Sequence, residues 1–294
     1  MGLMHLRRLF LEMTTTSRPV TQKEQEEKLY MMLPLFNKVF GEAPPSSMAE
    51  RFSDLLQFAT QVSRLMVTEI RRRASNKSTE AASCAIAQFL EIHQSEESSR
   101  GWMLLKTLKL LAASGQVTKT VDCMTTMSLP STLVKCLYLF FDLPPPGAGA
   151  PTPGLANQTD VSCFERRAAL QKVFGQILVR LCRFVSPAEE LAQKDDLQLV
   201  FTALTSWCPA HNLAWRQSAA EALLTLARHG LSANVLKYLH DKECVGLCLQ
   251  TMRQSSELSL AELLEILVSL LCFLKDSSEV SHSLLDDFRC CQGY

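Results

Sequence analysis

Apolar side chains recur every three or four positions through most of this chain, the spacing of helices that bury one face. Leu3, Leu6, Leu9, Phe10 and Met13 share a face opposite Arg7 and Arg8, which predicts a short amphipathic helix docked on the next one. Thr21-Gln-Lys-Glu24 has the pattern of a capping box, so a helix should run from it through Leu29, Met32, Leu33 and Phe36 to Gly41, with Pro34 placed to kink or split it. Ser47-Met-Ala-Glu50 is a second such box. It is expected to open the longest regular helix, with Phe52, Leu55, Leu56, Ala59, Val62, Met66 and Ile70 on its buried face. Further helices are expected over 78–93, 99–114 and 121–127. The stretch Leu129 to Leu143 is apolar almost all the way round. Only Lys135 and Asp142 are left to face water, so neighbours must cover this helix on several sides.

Residues 143–160, rich in Pro, Gly and Ala, break the periodicity and are expected to be a flexible loop between two halves of a helical array, 1–142 and 161–294. Patterning resumes at Leu170, Phe174, Ile177, Leu178 and Leu181. It continues through helices begun at Asp195 or Asp196, Asn212, Ser232 and Cys244, and Ser259-Leu-Ala-Glu262 is a third capping box. A last helix spans Val280 to Arg289. No run alternates with a period of two between turn dipeptides, so no sheet is expected. About a dozen helices joined by short turns, with faces too apolar for a bundle surface, point to an all-α, armadillo/HEAT-like α-solenoid. No TPR or ankyrin consensus recurs at a fixed period. A longer chain is expected to continue the array, because no polar capping helix precedes Gly293-Tyr294.

Composition narrows the function classes. The 294 residues are 47% hydrophobic, enough for a substantial core, and 30 basic residues balance 30 acidic ones. Zero net charge removes any steering of the whole molecule toward nucleic acid or anionic lipid, so no nucleic-acid partner is expected. The 11 cysteines, most of them within apolar helical faces, read as small buried hydrophobes in a reducing compartment. The first residues lack the uninterrupted apolar core of a secretory signal, and no apolar run reaches the length of a membrane span, which predicts a soluble protein.

Catalysis needs a nucleophile, a base and a holder of charge converging at a turn, and no motif supplies them: no enzyme activity, cofactor or metal is expected. The nearest approach to a metal set is His240-x-x-x-Cys244-x-x-x-Cys248. Its ligands are spread over successive turns, about 12 Å apart, too far for one zinc. His282, Asp286 and Cys290 repeat that spacing. Arg71-Arg72-Arg73 complements the negative end of its helix dipole and is also a candidate basic contact patch. Arg72-Arg73-Ala74-Ser75 has the look of a basophilic kinase site, which makes Ser75 a candidate for phosphorylation. The same triplet, with Arg7 and Arg8, leaves membrane or phosphoinositide attachment as the alternative mode of action. Trp207 and Trp215 flank a turn at which packing alone accounts for both, while an exposed Trp there would be a binding anchor.

Several long runs carry a resemblance. They are Gly2-Leu-Met-His-Leu-Arg-Arg-Leu-Phe10, Thr21 to Pro34, Val62 to Ser83 including the Arg triplet, the apolar helix from Leu129, and Ser186-Pro-Ala-Glu-Glu-Leu-Ala-Gln-Lys-Asp-Asp-Leu197. These closely resemble the N-terminal region of the autophagy-linked, WD-repeat and FYVE-domain members of the BEACH family, with departures at 116–119 and 143–160. The resemblance implies a scaffold or adaptor in selective autophagy of protein aggregates, acting by protein–protein binding. It further implies a cytoplasmic location with a nuclear pool and autophagic-membrane association. Partners would be unidentified proteins and the rest of a parent polypeptide. Membrane contact would be indirect, through FYVE, PH, BEACH and WD-repeat domains that lie far toward the C-terminus in that family and are absent from this sequence.

Overall fold

The computed structural model describes residues 2–15, 21–90, 99–113, 118–140, 158–205, 212–254, 258–275 and 279–293. Among them the backbone forms sixteen helices and no strand. No helix among the described residues is long and apolar enough to cross a membrane. The fold class is all-α and solenoid-like, as the hydrophobic period predicts.

Two compact units divide the chain. The first is Met1–Leu129 with Glu165–Leu170, and the second Pro130–Phe164 with Gln171–Tyr294. The first carries α1 (Gly2–Thr14), α2 (Gln22–Phe40), α3 (Ser47–Arg51), α4 (Leu55–Ala74), α5 (Thr79–Leu90), α6 (Arg100–Ala113) and α7 (Thr118–Thr126). The second carries α8 (Leu129–Leu139) but for its first residue and most of α9 (Gln158–Leu181). It continues through α10 (Val185–Gln193), α11 (Asp196–Thr205), α12 (Leu213–His229), α13 (Ala233–Asp241), α14 (Cys244–Gln254), α15 (Leu260–Phe273) and α16 (Glu279–Cys290).

A packing rule organises the second unit: α10 packs on α13, α11 on α14, α12 on α15 and α13 on α16. Each helix meets the third one after it. The starts of α10, α13 and α16 lie about 47 residues apart, at the upper end of the roughly 40–47 expected of an armadillo or HEAT repeat. The first unit obeys the same rule once the five-residue α3 is set aside, with α2 on α6 and α4 on α7. The backbone marks the same period. Five non-glycine residues among those described have positive φ, namely Asn76, Ser128, Asp195, Glu243 and Gln292, and they follow α4, α7, α10, α13 and α16. Every third helix therefore stops at a left-handed residue, which reverses the chain before the next helix.

The first and third capping boxes form. Thr21 accepts from the Glu24 N–H at 3.3 Å while Glu24 receives the Thr21 N–H at 2.9 Å, and Ser259 and Glu262 repeat the exchange. The second does not. Ser47 donates its hydroxyl to the Pro44 carbonyl at 2.9 Å, α3 ends after Arg51, and α4 begins separately at Leu55. The cause is Phe52, whose extended backbone drives its ring into a cluster with Phe10, Phe36, Phe40 and Phe58, all at most 1% exposed. Phe36 and Phe58 stack with centroids 4.7 Å apart, and Phe10 approaches Phe52 edge-on at 5.7 Å. α9, at 24 residues, is longer than the 20-residue α4. α2 runs unbroken through Pro34, because Leu33, Phe36 and Phe40 on either side are held in the core and outweigh the lost hydrogen bond. Of the expected loop over 143–160, residues 143–157 lie outside the described residues, and α9 already begins at Gln158.

Candidate functional site

A set of polar side chains from later helices surrounds α8. Ser131, Thr132, Leu133, Val134, Cys136, Leu137 and Phe140 are buried, and Lys135 is exposed. A helix so covered cannot leave its end groups to water, and side chains from later helices take them instead. At the N-terminal end the Ser131 N–H donates to Glu190 Oε2 at 3.2 Å, and its hydroxyl donates to Asp196 Oδ2 at 2.5 Å. Lys135 Nζ stands 3.3 Å from Asp196 and Lys194 Nζ 2.6 Å from Glu190, so each buried carboxylate has a cation. Burial nonetheless pushes the Glu190 carboxyl up, above the usual carboxylate range, against the lowering pull of Lys194 and Ser131. At the C-terminal end Trp215 Nε1 donates to the Leu137 carbonyl at 2.7 Å, and Asn212 Nδ2 to the Phe140 carbonyl at 3.0 Å. Trp215 is fully buried with Tyr138 edge-on to it at 5.6 Å, so it is a structural anchor of α8. Trp207 lies outside the described residues.

The basic triplet closes α4. Arg71 and Arg72 are exposed and Arg73 is half-buried. Arg72 and Arg73 converge on the buried carboxylate of Glu69, Arg72 at 2.7 Å, and the Arg73 guanidinium lies 3.5 Å above the Phe89 ring. Arg72, Arg73, Lys77, Ala85, Gln88 and Phe89 line a shallow depression there. Ser75 is exposed one residue past the helix, donating its N–H to the Arg71 carbonyl at 2.9 Å. Arg7 donates to the Arg51 carbonyl, and Arg8 sits 3.6 Å from Glu12.

The His and Cys rows separate. His240 Nδ1 meets Asp287 Oδ2 of α16 at 2.8 Å, and that hydrogen bond raises the imidazole above its ordinary range. Cys244 and Cys248 point the other way into the core, where burial pushes both thiols up to about 12. Cys136 and Cys182 are likewise pushed up to about 12. His282, Asp286 and Cys290 are all exposed on α16. Among the described residues no three His, Cys, Asp or Glu side chains gather in a way that could hold a metal ion. The polar pairs that do form between successive repeats are staples: Lys242 with Asp195 at 2.9 Å, Ser232 donating to Glu189 at 2.8 Å, and Arg216 with Glu262.

One surface escapes a reading for charge and catalytic motifs. Leu260, Leu264, Val268 and Leu271 form an exposed apolar stripe along α15, from 73% exposed at Leu260 to 47% at Leu271. The signal was present in the sequence as an apolar arc covering more than half the circumference of the helix, wider than one packed face needs.

No protein-family model matches the chain, and no solved structure matches it. Curated proteins do match, among them the following two. The chain is 28% identical over 277 residues to WD repeat- and FYVE domain-containing protein 4 of Mus musculus, covering 94% of this chain and 8% of that protein. It is 27% identical over 292 residues to the protein of the same name in Homo sapiens, covering 98% of this chain and 8% of that protein. The chain thus spans about 8% of the length of the curated relatives it matches. The relationship is to the N-terminal region of these WD-repeat and FYVE-domain proteins, and it does not single out the autophagy-linked member.

Proposed function

We propose that this segment, related over nearly its whole length to the WD repeat- and FYVE domain-containing proteins, is an armadillo-like scaffold of a large adaptor for selective autophagy of protein aggregates, acting by protein–protein binding. The observation that carries the reading is a shared stretch covering 94% and 98% of the chain in the two relatives, over a sequence whose buried helices form a repeating array. Such arrays offer extended surfaces and ask for no covalent chemistry. Its partners are proteins and the rest of the parent polypeptide. Arg71 and Arg72 provide an exposed contact for an acidic segment, and phosphate on Ser75 would cancel part of that charge.

The test compares partners captured by the full-length parent protein with those captured by the parent lacking this segment. Loss of at least one partner, together with slower clearance of ubiquitin-positive aggregates, is the expected result. An unchanged partner set would reduce the segment to a spacer and overturn the proposal.

A further inference from the structure

The period of three helices makes α12 and α15 equivalent, and their N-caps Asn212 and Ser259 fix the register between them. On α12 the side carrying Arg216, Ala220 and Ala227 is buried, and Arg216 reaches across to Glu262 of α15. The matching positions are Leu263 and Leu267 on α15 and Leu274 directly after it, and all three are half-buried. Beside them runs the open stripe Leu260, Leu264, Val268 and Leu271, where α12 presents exposed Gln217 and Glu221 at the positions matching Leu264 and Val268. Of the apolar residues on α15, Ile266, Leu270 and Phe273 are buried, by the side turned into the core of the unit. The face that a third helix onward would cover is therefore present, apolar and only partly covered.

We propose that this face of α15 is the seat of one specific occupant, the third helix of the next repeat, supplied by polypeptide outside these 294 residues of the kind the much longer relatives have room for. Two observations select that occupant over a second copy or an unrelated peptide. The packing of each helix on the third one after it holds from α10 to α16 without exception, so the interface is a continuation of one already seen four times over. The matched region is also only 8% of each relative, which leaves ample chain to carry further repeats. The occupant should be an amphipathic helix whose apolar side is at least as wide as that of α12, since leucines on α15 stand where α12 has arginine and alanine. This inference rests on helix packing and not on the adaptor reading.

The test joins this chain to the next repeat, about 47 residues, that follows the matched region in the human relative. Hydrogen exchange then follows residues 260–274 with and without the addition. Exchange in α15 should slow at least tenfold in the joined protein, and L264E with V268E should abolish that slowing while leaving the helical content of the unextended chain unchanged. The same comparison within the human relative, its matched segment alone against the segment with its own next repeat, supplies a second reading. Unchanged exchange in α15 beside an added segment that is helical by circular dichroism would overturn the proposal. So would a dimer of the unextended chain that L264E dissociates, which would make a second copy the occupant.

Discussion

Glu190 shows how a single buried carboxylate can serve a fold while opposing it. Its oxygen caps the Ser131 N–H at the start of α8, so E190A should leave that donor without a partner and lower stability by about 1–3 kcal/mol in chemical denaturation. Its raised carboxyl has a separate consequence. The native state takes up this proton before the unfolded chain does as pH falls, so the cost of the desolvated charge is present above the raised value and is relieved on acidification through it. Between that value and the ordinary carboxylate range the wild type should gain stability relative to E190Q, whose amide still accepts from Ser131. Midpoints of thermal unfolding measured against pH would show the difference, and parallel curves would remove Glu190 as its source. The residues that cap α8 from afar, Glu190, Asp196, Asn212 and Trp215, could not be assigned from sequence. A carboxylate two helices away looks like any other helix-start acid until the fold brings it to an orphaned N–H.

At the scale of elements, local chemistry was legible and competition with distant groups was not. Thr21 with Glu24 and Ser259 with Glu262 form their boxes because every participant lies within one turn. Ser47 has the same pattern, but the Pro44 carbonyl takes its hydroxyl and the phenylalanine cluster takes Phe52. The burial of α8 was legible too, since a helix apolar on all sides has one solution. The three-helix period stayed hidden because equivalent positions share a conformation more than a residue type: Asn76, Ser128, Asp195, Glu243 and Gln292 have little in common beyond positive φ. That conformation is hostile to β-branched side chains. E243V should lower stability by about 1–2 kcal/mol in urea denaturation while E243G is tolerated or mildly stabilising. The α13–α16 contact has its own pH dependence. Asp287 raises the folded-state value of His240, so the pair contributes fully below the ordinary imidazole range, and that contribution is lost as pH rises through the raised value. Nuclear magnetic resonance titration should find His240 elevated in the wild type and returned toward its ordinary value in D287N.

For the whole molecule, balanced charge and a basic triplet partly spent on Glu69 favour protein surfaces over lipid as the thing recognised. Flotation with liposomes containing anionic phosphoinositide should leave the chain unbound. Charge reversal at Arg7, Arg8 and Arg71 should change nothing, and arginine-dependent flotation would instead establish membrane attachment. The family relationship was legible in long runs of residues, and the comparisons support it at the level of WD-repeat and FYVE-domain proteins.

The left-handed residues after every third helix also behave as phase marks for editing the protein. Asp195 and Glu243 occupy the same place in successive repeats, so excision of residues 196–243 joins Asp195 to Cys244 and keeps the order of helices intact. A shortened protein of that kind should remain helical and monodisperse, whereas removing a stretch half as long should aggregate, as judged by circular dichroism and size-exclusion chromatography. Lineages could lengthen or trim such an array in whole quanta without redesigning a single junction.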